Sequence, residues 1–131
     1  MANTVDIQKI IDGPRNAVIK IFLASDGASG ELADQIIVDV SALEGAPSKV
    51  HLMAIDFCLR GFDVLLEWEA TTDAPIITLT PESGAGGFCW EKFGGIPNNG
   101  GAGVTGDLSI TTTGFTAAGD NGFLLLSVTK D

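Results

Sequence analysis

The chain of 131 residues is 45% hydrophobic and 18% charged, which excludes the disordered class and leaves enough apolar material for one core burying about two-thirds of the unfolded surface. Seventeen acids against seven Lys and Arg give a formal charge of -10, a balance that repels phosphate backbones and anionic lipid and so argues against nucleic acid or a membrane as partner. No apolar run approaches the roughly 18 residues of a membrane helix, and the N-terminus lacks a signal-peptide layout, so residues 1–131 are expected to form a single domain that folds in the cytoplasm.

Short runs rich in Val, Ile, Leu, Phe and Thr, punctuated by clustered glycines, predict strands. In chain order they are Val5 to Ile11, Ala17 to Ser25, Gln35 to Val40, Lys49 to Arg60, Phe62 to Ala70, Ile76 to Thr80, Gly87 to Lys92, Asp107 to Thr113 and Gly122 to Lys130. Asp12-Gly13-Pro14-Arg15-Asn16 joins the first two through a turn that Gly and Pro enforce. Ser29 to Asp34 and Ser41 to Glu44 have room for one helical turn each, and no long amphipathic helix occurs anywhere. Arg60-Gly61 is too short for a linker and suits a tight turn or bulge, so Val50 to Ala70 reads as a bent continuous pair. In the fifth run Phe62, Val64, Leu66 and Trp68 alternate with Asp63, Leu65, Glu67 and Glu69, which places a core face against a wet, mostly acidic one. Phe93 to Gly106 holds six Gly and one Pro in 14 residues, and its apolar edges, Phe88, Trp90, Phe93, Ile96 and Val104, predict an ordered loop packed against the body. The whole predicts an all-β fold, an antiparallel two-sheet sandwich, jelly-roll-like, with eight or nine short strands.

Motifs that could carry chemistry are few. Gly101-Ala102-Gly103-Val104-Thr105-Gly106 spells the dinucleotide fingerprint, but Asp107 to Thr113 alternates as a strand where a helix N-terminus would have to face the pyrophosphate. No cofactor is expected, and the glycines serve turns with positive φ. His51 is the only histidine and has no nucleophile elbow with it, so an enzyme is not expected. Glu67 and Glu69 lie two residues apart on one strand face, a spacing too common among solvent-facing acids to mark a glycosidase pair. No metal is expected either: Cys58 and Cys89 lack partners for a zinc site, and the acids form no EF-hand series. Asp26, Asp73, Asp107 and Asp120 lie beside turns, where they could hold calcium, but they read as ordinary turn caps. The two cysteines read as buried free thiols, with one bridge left open. Trp68 and Trp90 read as core or interface residues.

Three stretches resemble a family of small structural proteins of tailed bacteriophages: Ile11-Asp-Gly-Pro-Arg-Asn-Ala-Val-Ile-Lys20, Glu67-Trp-Glu-Ala-Thr-Thr-Asp73, and Phe93 to Gly114 with its Pro97-Asn98-Asn99, Gly-rich loop before a Thr-rich strand. The short apolar strand Phe123 to Lys130, ending in a base, continues the likeness, while the absence of Tyr departs from it and leaves Phe123 where relatives often carry an aromatic hydroxyl. The resemblance implies a capsid decoration, or cement, protein, made in the host bacterial cytoplasm and residing on the virion's capsid surface. Its partner would be the major capsid protein, bound as a small symmetric homo-oligomer such as a trimer. Contact is expected through Phe88, Trp90, Phe93, Ile96, Pro97, Asn98 and Asn99, or through the first strand. Two alternatives are a tail or head-to-tail connector component, and a non-catalytic carbohydrate-binding sandwich on the virion surface that would present Trp68 or Trp90.

Overall fold

The computed structural model describes residues 3–28, 30–80, 85–90, 92, 94–98 and 101–130. Its strands are β1 (Thr4–Asp12), β2 (Asn16–Ala24), β3 (Gln35–Val38), β4 (Val50–Arg60), β5 (Asp63–Trp68), β6 (Ala74–Leu79), β7 (Ala85–Cys89), β8 (Leu108–Thr113) and β9 (Asn121–Lys130). They form a five-stranded sheet in the order β1-β2-β9-β4-β7 and a four-stranded sheet in the order β3-β8-β5-β6. Pairing runs from the outside of the sequence inward: β2 with β9, β3 with β8, β4 with β7 and β5 with β6, all antiparallel. A long hairpin wrapped over itself in this way is a jelly roll, with β1 added at one edge by the hairpin through Gly13. Among the described residues no helix is long and apolar enough to cross a membrane.

The alternation of side chains fixes which faces meet. Ile19, Ile21 and Leu23 of β2, Leu52, Ile55 and Leu59 of β4, and Leu124, Leu126 and Val128 of β9 point inward from the larger sheet. Val64, Leu66 and Trp68 of β5 face them with Leu108 and Ile110 of β8. Each such burial contributes about 1.5–3 kcal/mol, so this interface is the main source of stability. The core face expected for the fifth run is therefore the one observed.

Val50 to Ala70 is not a pair. β4 bonds to β7 and β9, β5 bonds to β6 and β8, and Arg60 to Phe62 is the corner where the chain changes sheets. Gly61 makes that corner with φ +87°, a left-handed conformation without cost for glycine, and a Cβ there would collide with the Asp120 carboxylate. Asp120 belongs to the β8–β9 crossover, which returns the chain to the larger sheet at the same end. Phe62 and Phe115, one from each crossover, pack at 4.5 Å between ring centroids with a 53° tilt. Glu31, in the β2–β3 crossover, accepts hydrogen bonds from the Gly114 and Phe115 amides (2.8 and 3.0 Å) and from Thr112 Oγ1 (2.8 Å).

The helical turn expected at Ser41 to Glu44 is a 3-10 turn at Val40–Ala42, capped by Asp39, whose side chain accepts from the Ser41 amide. The other, Ser29 to Asp34, is not helical at residues 30–34, and Ser29 lies outside the described residues. The cysteines are free, but they are not both buried: Cys58 is half-buried and Cys89 exposed. The reason is positional, since Cys89 sits on the edge strand β7 opposite Ala54.

Candidate functional site

The two sheets do not match in width, and the excess belongs to the five-stranded one. β3 is only four residues long, so it does not fill the space across from β1, whose inward positions Ile7 and Lys9, in register with Ile21 and Ile19, overhang β3 and the 3-10 turn, where Lys9 Nζ donates to the Ala42 carbonyl (2.9 Å). Beneath the overhang is a cavity of about 200 Å³ lined by Ile7, Lys9, Ile19, Val38 and Leu43. Beside it the β1 register slips between Lys9 and Ile11, and Ile10 and Ile11 are left in solvent. On the outer face of the same sheet, Phe22, Phe123 and Cys58 form a row across β2, β9 and β4.

The opposite edge carries the segment singled out from the sequence. Phe88 of β7 stands opposite the buried Ile55, and its ring stacks on Phe57 (6.2 Å, 16°) and on Trp90 (5.9 Å, 11°), within the range of favourable aromatic contact. The chain then reverses: the Gly95 amide donates to the Trp90 carbonyl (2.9 Å), and Ile96 exchanges both backbone bonds with Leu52 (2.8 and 3.0 Å). Gly95 has φ +89°, and a Cβ there would meet Met53 Sδ and the Leu52 carbonyl. Phe88, Trp90 and Ile96 are thus brought together along the end of β4, with Trp90 and Ile96 half-buried against the core. Phe88 and Pro97 are exposed and Asn98 is half-buried. Phe93 and Asn99 lie outside the described residues.

Among the described residues, the large apolar side chains left exposed, at 37–55%, are Ile7, Ile10, Ile11, Phe22, Phe88 and Phe123 of the five-stranded sheet, and Val104 of the β7–β8 loop. None belongs to the four-stranded sheet. Composition hid this asymmetry, because single exposed hydrophobics are ordinary and only strand order shows these six to share one sheet.

The outer face of the four-stranded sheet has the opposite character. Carboxylate oxygens of Asp34, Glu67 and Asp73 lie within 4.8 Å of one another, with Glu69 beside them. Thr111 Oγ1 donates to Glu67 Oε1 (2.9 Å). A hydrogen bond with Asp73, then burial and the Asp73 charge, hold the Asp34 carboxyl above its ordinary range. Burial foremost, then the neighbouring acids, push Glu67 and Glu69 up as well. The expectation of a wet acidic face fails at Glu67, which is only 9% exposed. The acid sits mid-sheet, where Asp34 and Asp73 reach over it from either side.

The remaining candidates fall into structural places. His51 is half-buried on β4 opposite Thr129, and Trp68 is fully buried. Asp26, Asp73, Asp107 and Asp120 each accept from a backbone amide at a turn, of Ala28, Ala70, Val40 and Thr116 respectively, at 2.8–3.2 Å. Gly101, Gly103 and Gly106 all have positive φ and lead into a strand. No protein-family model matches the chain, and no curated protein sequence matches it.

Proposed function

We propose that the protein is a bacteriophage virion structural protein, a capsid decoration (cement) protein that lies on the assembled shell with its five-stranded sheet toward the major capsid protein. The observation that carries this reading is the two-sidedness of the sandwich: exposed apolar side chains gather on one sheet and clustered carboxylates on the other. Apolar contacts of modest size, Phe22 and Phe123 on the outer face and Ile7, Ile10, Ile11 and Phe88 on the two edge strands, suit an interface repeated many times over a lattice, where copies in a small symmetric oligomer gain affinity from multivalency. Binding only the assembled shell would stabilise it by mass action, while the acidic sheet faces solvent and keeps particles apart. The proposed role is non-catalytic.

Quantitative mass spectrometry of purified virions tests the assignment: a copy number near that of the major capsid protein is expected, and a dozen copies or fewer would move the protein to the tail or connector. Phe22→Ser combined with Phe123→Ser removes two exposed rings without touching the core, so the variant keeps its circular dichroism and loses shell occupancy. Full occupancy in that variant would overturn the orientation. Ile96 is a poor probe, because it pairs with β4 and packs on the core, whereas Phe88→Ser tests the other edge cleanly.

A further inference from the structure

We propose that the outer face of the four-stranded sheet is a binding site for a hard divalent cation of calcium's size, held between Asp34, Glu67 and Asp73. The inference does not depend on the proposed role in a virion. The three carboxylates converge from separate elements: Asp34 just before β3, Glu67 on β5, and Asp73 just before β6. A cluster of acids alone would say little, since exposed carboxylates often sit together without a ligand.

The second observation is Ser109. It stands directly opposite Glu67 in the β5–β8 register, so its side chain leaves the sheet on the same outer face as Glu67 and Thr111. That position should be open to solvent, yet Ser109 is 0% exposed and its Oγ has no hydrogen-bond partner. A hydroxyl buried in this way loses its hydration without replacement unless something accepts from it or donates to it. Thr111, two residues along the same face, bonds Glu67 and approaches Asp34 Oδ1 at 3.5 Å, so Ser109, directly opposite Glu67, stands on the face where the acids converge. Glu69 adds a second orphan, a buried Oε2 without a partner.

All three groups of the site are carboxylates, and their oxygens lie within 4.8 Å of one another, so like charge faces like charge. A cation reverses the sign of every one of these repulsions. Three carboxylates, a hydroxyl and water can supply the roughly 6–8 oxygens that calcium takes in irregular geometry, whereas magnesium demands a near-ideal octahedron. Cysteine and imidazole are absent from the cluster, which disfavours softer metals.

Calorimetric titration of chelator-stripped protein with calcium chloride should show one equivalent bound. At about 100 times the dissociation constant, the melting temperature should rise by about 8–13 °C. Magnesium should give a smaller shift, and an equal one would overturn the assignment of size. Glu67→Gln and Asp34→Asn should each weaken binding about tenfold or more. Asp34 is exposed, so its variant folds, and a calcium response retained in that variant would overturn the site. So would the absence of heat and of any melting shift in the unaltered protein at about 10 mM calcium, above the weakest physiological affinities.

Discussion

Phe62 and Phe115 join two crossovers at one end of the sandwich, and a double-mutant cycle measures how strongly. Their rings are 2% and 0% exposed and tilted at 4.5 Å, so the contact adds about 0.5–1.5 kcal/mol to the burial of each ring. Phe62→Leu and Phe115→Leu each lose ring volume without introducing polarity, and each should cost about 1–2 kcal/mol. Because either change removes the same ring contact, the double variant should cost less than the sum by about 0.5–1.5 kcal/mol. Urea unfolding of the four proteins reads the cycle, with a constant slope certifying that the unfolded states match. Costs that add to within about 0.3 kcal/mol would refute the idea that these crossovers are held by one aromatic contact.

Two further expectations concern pH and backbone. Asp34, Glu67 and Glu69 hold protons more tightly when folded, so their stabilisation is complete below the ordinary values of 3.8 and 4.5 and is lost as pH rises through the raised ones. Asp12, lowered chiefly by the Lys130 hydrogen bond, and Glu31, lowered by the Phe115, Thr112 and Gly114 bonds against the cost of its burial, act in reverse, losing their contribution as pH falls through the depressed values. In chelator the melting temperature should therefore peak at about pH 4–5, and a steady rise from there to pH 8 would contradict the arrangement. Gly106 has φ +91°, and a Cβ would strike the Ser48 carbonyl oxygen, so Gly106→Ala should cost about 2–4 kcal/mol by denaturant unfolding. Gly119→Ala, with open space around its Cβ, is the control, and equal costs for the two would refute the steric account.

Where strands begin and end was legible because the cause is local. Glycine clusters interrupt β-branched runs, and all nine expected runs overlap observed strands. Which strands pair was less so: Arg60-Gly61 offers the same letters to a hairpin and to a corner between sheets, and only packing against Asp120 and Phe115 decides for the corner. The acidic cluster was hidden for the same reason. Asp34 and Asp73 are distant in sequence and meet only because β3 and β6 flank β8 and β5 in one sheet, and Ser109 looked like one more residue of a Thr-rich strand. Phe88, Trp90 and Ile96 are legible as a group because they cluster along the chain, whereas Phe22 and Phe123 become neighbours only through the β2–β9 register.

The place of β9 governs how the molecule can assemble. It is the last strand in sequence but the middle strand of the five, bonded along its length to β2 on one side and β4 on the other. Until those ten residues have left the ribosome, β2 and β4 expose bare edges to each other and to neighbouring chains, the condition under which β proteins aggregate. Closure of so distant a pairing is also slow, since chain entropy is lost before the ladder forms. A chain of this design is most vulnerable while β9 is still undocked between β2 and β4.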